Sequence, residues 1–249
     1  MDNLNLGLGL LSIGRQWGAS NTEPPSRSQA FELLEQAYTL GIRFFDTAPA
    51  YGASEEIFGE FLQAHGGLND ITIATKFGEH WCENIKFTTV DHSFNSLKES
   101  LDQSMDRLGK IDILQVHKAT DIVLKSQGIQ EALDYAKKLG IHRFGASVSN
   151  LQSAAVACSS GKYDFLQFPF NFENDVLKGL IKLLDETNMK PIINRPLNMG
   201  HMIKNNASPH VEITKAFGFI KNTVPSGIVL TGTSKVSHLK ANIDCFKAA

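Results

Sequence analysis

Cysteine is scarce in this chain of 249 residues: Cys82, Cys158 and Cys245 are an odd number, widely spaced, and form no CxxC pair. That pattern excludes a disulfide framework and a cysteine zinc site, and it fits a reducing cytoplasm. Charge of one sign is also missing, with 24 Lys and Arg against 26 Asp and Glu and no run of like charge. Nucleic acid and anionic membrane surfaces are therefore not expected partners. No apolar stretch approaches the roughly 20 residues of a membrane span. The opening MDNLNLGLGLLSIGRQWG has an apolar patch but no basic segment ahead of it, as a secretory signal would. His80 and His92 make no metal motif, and no metal is expected. These absences leave a soluble cytoplasmic protein whose ligand is a small molecule or another protein, with a monomer as the default state.

What is present is a repeated alternation. Ser26 is followed three residues later by Gln29, a capping-box pair, then by Ala30, Leu33, Leu34, Ala37 and Leu40 at helical spacing and by Gly41 as a stop. Ile42–Phe45 follows as a short buried strand. Further strand-like runs lie at 71–75, 111–116, 143–147, 165–168, 191–193 and 228–230. Leu97, Leu101, Met105 and Leu108 make one helical stripe, and Leu133, Ala136 and Leu139 another; helices are also expected across 174–186, 209–222 and 234–247. Counting the glycine-rich Leu6–Leu11 segment gives eight strands, each followed by a helix or room for one; 198–208 reads as loop. Strict alternation implies parallel strands, no Pro- or Ser-rich linker splits the chain, and eight units in about 250 residues match a single closed (β/α)8 TIM barrel spanning 1–249.

In such a barrel the C-terminal strand ends share one mouth. Asp46 ends the second strand, Tyr51 follows it, Lys76 ends the third and His117 the fourth. Taken singly, a strand-end Asp caps loops and a Lys is solvated; together on three consecutive strands they make an acid–base set. A phenol with a pKa near 10 gives up its proton more readily beside an ammonium, which needs a counter-ion once buried. Tyr51, Lys76 and Asp46 fit those roles, and His117 is placed to donate a hydrogen bond to a substrate oxygen. Such a site protonates an oxygen as negative charge develops on it, as carbonyl reduction requires. Trp17, Phe77 and Trp81 follow strands and are candidates for an apolar lining of the mouth.

The stretch GIRFFDTAPAYGASEEIFGEFL resembles the D-T-A-x-x-Y-G-x-S-E-x-x-x-G signature of the aldo-keto reductases, and the likeness runs from Leu6 to about Asn242. The resemblance implies a catalytic tetrad of Asp46, Tyr51, Lys76 in IATKFG and His117 in ILQVHK. FGASVSN is similar to the family's G-V-S-N, which implies that Ser149 and Asn150 bind the nicotinamide carboxamide; either is equally a helix N-cap. Gln167 in FLQFPFN matches the glutamine serving that carboxamide. VLTGTSKVSHLKAN is similar to the segment that grips the adenosine phosphate, which brings in Gly232, Thr233, Ser234, His238 and Asn242. Two positions depart from the family. His238 stands where many members have an arginine for the extra phosphate of NADPH, leaving Lys235 as the available charge. Arg195, before Pro196-Leu197, stands where many have an aromatic that stacks on nicotinamide. The chain also ends soon after the last helix, without the long C-terminal loop of many relatives, so a more open mouth is expected. The resemblance implies an NADPH-dependent reductase of aldehydes or ketones, with NADH possible. A coenzyme-sensing regulatory barrel and an alcohol or sugar dehydrogenase are the alternatives.

Overall fold

The computed structural model describes residues 3–19, 21–203 and 208–249. The chain begins with strand β1 (Leu4–Gly9) and a single turn, α1 (Leu11–Gly14). It continues through α2 (Arg27–Thr39), β2 (Phe44–Asp46), a 3-10 turn at Pro49–Tyr51, α3 (Ser54–Ala64) and β3 (Thr72–Phe77). A hairpin of β4 (Glu79–Cys82) and β5 (Phe87–Val90) interrupts the alternation before α4 (Phe94–Leu108) and β6 (Ile113–Val116). Then come α5 (Asp121–Leu124), α6 (Gln127–Lys138), β7 (Phe144–Ser147), α7 (Leu151–Ser159), β8 (Phe165–Pro169), α8 (Leu180–Glu186) and β9 (Lys190–Asn194). A 3-10 turn at Asn198–Gly200, α9 (Pro209–Thr223), β10 (Gly227–Gly232) and α10 (Val236–Ala248) complete the chain.

Eight strands close into one barrel in the order β1-β10-β9-β8-β7-β6-β3-β2, every pair parallel, as the alternation implied. The strands read as continuous apolar runs because both faces are covered. Phe44, Ala74, Ile113, Phe165, Ile192, Ile228 and Leu230 form one buried cluster. Their chain neighbours Phe45, Ile73, Leu114, Leu166, Ile193 and Val229 belong to a second, larger one that takes in the helices. Alternation along each strand thus separates the barrel filling from the helix-facing layer. The glycines of β1 serve the same end: a Cβ on Gly7 would lie 3.0 Å from Ile228 Cγ2 and from Leu230 Cδ2, so a side chain there would crowd the filling.

Local signals explain the helix ends. Ser26 Oγ accepts the Gln29 N–H while Gln29 Oε1 accepts the Ser26 N–H at 3.0 Å, a cap worth about 1 kcal/mol. Ala30, Leu33, Leu34 and Ala37 then face inward. Elsewhere the structure trims or adds. The strand expected at 42–45 runs Phe44–Asp46, putting Asp46 inside it. The helix expected across 174–186 is only α8, Leu180–Glu186. The β4–β5 hairpin was not anticipated, because a short exposed ribbon carries little apolar alternation. Of the loop expected at 198–208, residues 204–207 lie outside the described residues.

Candidate active site

Asp46 ends β2 and Lys76 is the last residue but one of β3, the neighbouring strand paired with it in parallel, so their side chains meet at the barrel mouth. Lys76 Nζ donates to Asp46 Oδ2 at 2.6 Å and to the Thr47 carbonyl at 2.9 Å, with the two residues 1% and 2% exposed. The other Asp46 oxygen accepts from Gln115 Nε2 at 3.0 Å and Gln167 Nε2 at 3.3 Å. A buried ion pair persists only when its remaining lone pairs are satisfied in this way. Burial alone would push the Lys76 ammonium down, yet Asp46, with Tyr51, outweighs it and holds the pKa above the ordinary value. The side chain is therefore a fixed positive charge.

That charge lies under the phenol. Lys76 Nζ sits 4.7 Å from the centre of the Tyr51 ring, and the His117 ring stands edge-on to it at 5.9 Å and 82°. The turn Pro49–Tyr51 that follows β2 carries the phenol to this place. Burial raises the Tyr51 pKa and outweighs the lowering by Lys76, so the phenol holds its proton more firmly than its neighbours alone suggest. The lysine pulls in the direction expected from sequence; the net shift is upward because desolvation is the larger effect. His117 lies well below an ordinary histidine through burial, reinforced by Lys76, Lys118, His92 and Arg15, so its imidazole is neutral.

A group absent from the sequence reading stands behind His117. Glu79, 5% exposed and the first residue of β4, places Oε2 3.1 Å from His117 Nδ1. Nothing in a lone glutamate three residues beyond Lys76 marks it in sequence, because the hairpin that folds it back is itself unmarked. Gln115, inside β6, was missed for a simpler reason: it reads as one polar residue in an apolar strand.

Two of the three expected mouth aromatics form something other than an apolar lining. Arg15 is sandwiched, its guanidinium 5.2 Å from the Trp17 ring and 4.6 Å from the Trp81 ring, with Nε donating to the Ala50 carbonyl at 2.9 Å. Burial lowers its pKa, opposed by Glu79 and Tyr51. Phe77 is wholly buried in the core instead of lining the mouth, because its place in β3 turns it away from Lys76.

The residues expected to hold coenzyme lie at the ends of β7 to β10 and at the start of α10. Ser149 and Asn150 are exposed, and Asn150 Oδ1 accepts the Ser153 N–H at 2.9 Å, so Asn150 does cap α7. Arg195 follows β9 in a left-handed conformation, φ 54°, with its guanidinium 6.0 Å from the Trp17 ring. Thr233 Oγ1 accepts the Lys235 N–H at 3.1 Å, and α10 has no side-chain cap on its first amides. Gly232 and His238 are exposed, and Ser234 is half-buried. Burial, with Lys235 adding to it, lowers the His238 pKa. Asn242 is buried and donates to Thr231 Oγ1 at 2.6 Å, tying α10 to β10. This side of the mouth fits a nicotinamide coenzyme on one observation above all: Gln167, anchored through Nε2, keeps Oε1 buried without a hydrogen-bond partner, as does Asn194 with Oδ1. Such orphaned acceptors cost about 1–3 kcal/mol each, and a carboxamide N–H would satisfy them.

Comparison with known proteins gives a consistent result. The family model described as "Aldo/keto reductase family" matches residues 5–216. The oxidoreductase YqkF of Bacillus subtilis is 26% identical over 285 residues, covering all of this chain and 89% of YqkF. "Aldo-keto reductase yakc [NADP(+)]" of Schizosaccharomyces pombe is 25% identical over 213 residues, covering 82% of this chain and 61% of that protein, so the match leaves over a third of that relative unmatched. A solved aldo-keto reductase structure from Pseudomonas aeruginosa superposes with a TM-score of 0.83 at 24% identity, over 98% of this chain and 89% of that one; at this identity the likeness concerns the fold.

Proposed function

The chain belongs to the aldo/keto reductase family, and on that premise we propose that it reduces an aldehyde or ketone to an alcohol at the barrel mouth, with NADPH the favoured coenzyme and NADH a possible one. The observation that carries this reading is the buried Lys76–Asp46 pair set against the ring of Tyr51. A bound nicotinamide coenzyme supplies the two-electron reductant. Ser149, Asn150 and Gln167 would hold its carboxamide, Arg195 would lie along it, and Gly232, Thr233, Ser234, His238 and Asn242 would frame its adenosine phosphate.

Tyr51 is the general acid: it keeps its proton until negative charge builds on the substrate oxygen and then transfers it there. Lys76 stabilises the tyrosinate left behind, and solvent restores the proton. Asp46 keeps Lys76 charged and fixed, itself held by Gln115 and Gln167. His117, beside the phenol, orients the oxygen. NADPH is favoured because a relative carries NADP(+) in its name and Lys235 offers a charge near the phosphate segment.

The test is coenzyme oxidation by the purified chain, NADPH against NADH, over aromatic, aliphatic and sugar aldehydes, with Tyr51→Phe alongside. Turnover by the chain and its loss in the variant is the expected outcome. A variant as active as the parent would remove Tyr51 from the mechanism, and coenzyme binding without turnover on any carbonyl would favour a sensing barrel.

A further inference from the structure

The carboxylates of the mouth and of the β4–β5 hairpin have cations of their own: Asp46 holds Lys76, Glu79 lies 3.6 Å from Lys118, and Glu83 pairs with Lys86. Arg15 has no such partner. It is half-buried, yet among the described residues it makes no ion pair. Its Nε donates to the carbonyl of Ala50, the residue before Tyr51, and its charge is felt at both the Tyr51 phenol and the His117 ring. The Trp17 and Trp81 rings lie 5.2 and 4.6 Å from the guanidinium carbon. With Nε taken and the rings against the group, the fork of two terminal nitrogens remains; it makes no hydrogen bond with a described residue and is open to solvent. The clamp is itself held, because the Trp81 indole N–H donates to Glu83 at 2.6 Å and Trp17 bridges to Thr22. Cation–π attraction explains why the guanidinium stays beside the indoles, but it leaves the fork unused.

A planar fork of N–H donors matches a carboxylate, whose two oxygens accept in one plane. Holding the side chain in advance removes much of the ordering cost that a free arginine would pay on binding. Arg195, likewise without an ion pair among the described residues, lies 6.0 Å from the same Trp17 ring and adds to the positive field. We propose that Arg15 is a specificity-determining residue and that the carbonyl substrates it selects carry a carboxylate. This rests on the reading that the mouth reduces carbonyls, and it narrows the substrate class. The carbonyl carbon gains hydride from the coenzyme and its oxygen gains the proton of Tyr51. The carboxylate stays ionised on Arg15 and changes no bond.

The chain has two tryptophans and both lie on Arg15, so their emission reports on this site without turnover. In the full chain, benzoate and benzamide are titrated against that emission, and kcat/KM is measured for meta- and para-carboxybenzaldehyde beside their methyl esters. The parent should bind benzoate roughly tenfold or more tighter than benzamide and favour each acid over its ester by a similar factor, the usual worth of a charged hydrogen-bonded pair. Arg15→Met should bring both ratios close to unity, and Arg15→Lys, which keeps the charge without the fork, should restore part of them. A parent that reduces acid and ester alike overturns the proposal whether or not the variants fold. So does a folded Arg15→Met that keeps the preference. The two readings fail separately. Uncharged aldehydes reduced with no preference for acids would sink the carboxylate site and leave the reductase. A benzoate preference lost in Arg15→Met, in a chain that reduces nothing, would sink the reductase reading and leave the site.

Discussion

Two carboxylates in this protein are buried almost completely and lean on the same stretch of β3 from opposite sides. Asp46 receives Lys76 at the mouth, while Glu55, 1% exposed at the start of α3, accepts from Thr75 Oγ1 at 2.5 Å, from Ser104 at 2.9 and 3.1 Å and from Arg107 at 3.1 Å. Thr75 and Lys76 are consecutive, so the pleat sends one toward the helices and the other into the mouth. Glu55 ties α3 and α4 to the sheet. Burial raises its pKa and its many donors do not fully offset that. Burial of a charge is therefore not what separates a group proposed for the chemistry from a structural one. At Asp46 the partner cation also touches a third group, the half-buried phenol; at Glu55 the partners are two hydroxyls and one guanidinium that reaches out to the surface.

The sharpest way to break the comparison is at the phenol. Tyr51→Phe should cost about 10²- to 10⁴-fold in turnover, the usual worth of a positioned proton donor, with coenzyme affinity by fluorescence titration unchanged. Coenzyme binding lost along with turnover would show that Tyr51 builds the site instead of acting in it. Lys76→Met should abolish activity and also leave Asp46 buried and unpaired, at about 3–5 kcal/mol of stability by urea denaturation. A stable, inactive variant would mean that water replaces the ammonium.

At the other carboxylate the expected pattern is reversed. Glu55→Ala should cost about 1–3 kcal/mol by orphaning Thr75 and Ser104, while the rate per folded molecule stays at the parent value. A folded but slow variant would erase the distinction. The pH dependence adds a sign. Glu55 has a folded-state pKa above its unfolded one, so between those values the folded state binds the extra proton. Its contribution to stability is full below the unfolded value and is lost as pH rises through the folded value. Thermal melts of Glu55→Gln should lack that decline. The smallest effect is expected at Arg15→Ala, where losing the stack between Trp17 and Trp81 should cost about 0.5–1 kcal/mol and change KM for an uncharged carbonyl only a few-fold; a large fall in kcat would place Arg15 in the chemistry.

The sequence made most of the frame legible, and particular residues show why. Ser26 and Gln29 announced α2 because a capping box needs only local chain, and the apolar runs announced the strands because a doubly covered sheet excludes polar residues from them. The positions of Asp46, Lys76 and His117 at or beside the ends of β2, β3 and β6 followed from that register, so these candidates for one shared mouth could be picked out before the barrel was seen. The hairpin with Glu79 could not. Its strands are short and partly exposed, and its purpose appears only when β4 folds back over His117.

What the sequence by itself determined is whatever depends on near neighbours: helix starts, strand faces, the alternation that implies a parallel barrel, and the residue types available at each strand end. The tertiary structure alone decided which of those residues meet. It brought Gln115 and Gln167 onto Asp46 from β6 and β8, set burial above the lysine in fixing the phenol's pKa, turned the aromatic lining into a clamp on Arg15, and put a carboxylate behind His117. The reason is physical: propensity and periodicity act over a few residues, whereas desolvation and Coulomb energy depend on distances between side chains far apart in the chain, and barrel closure sets those distances.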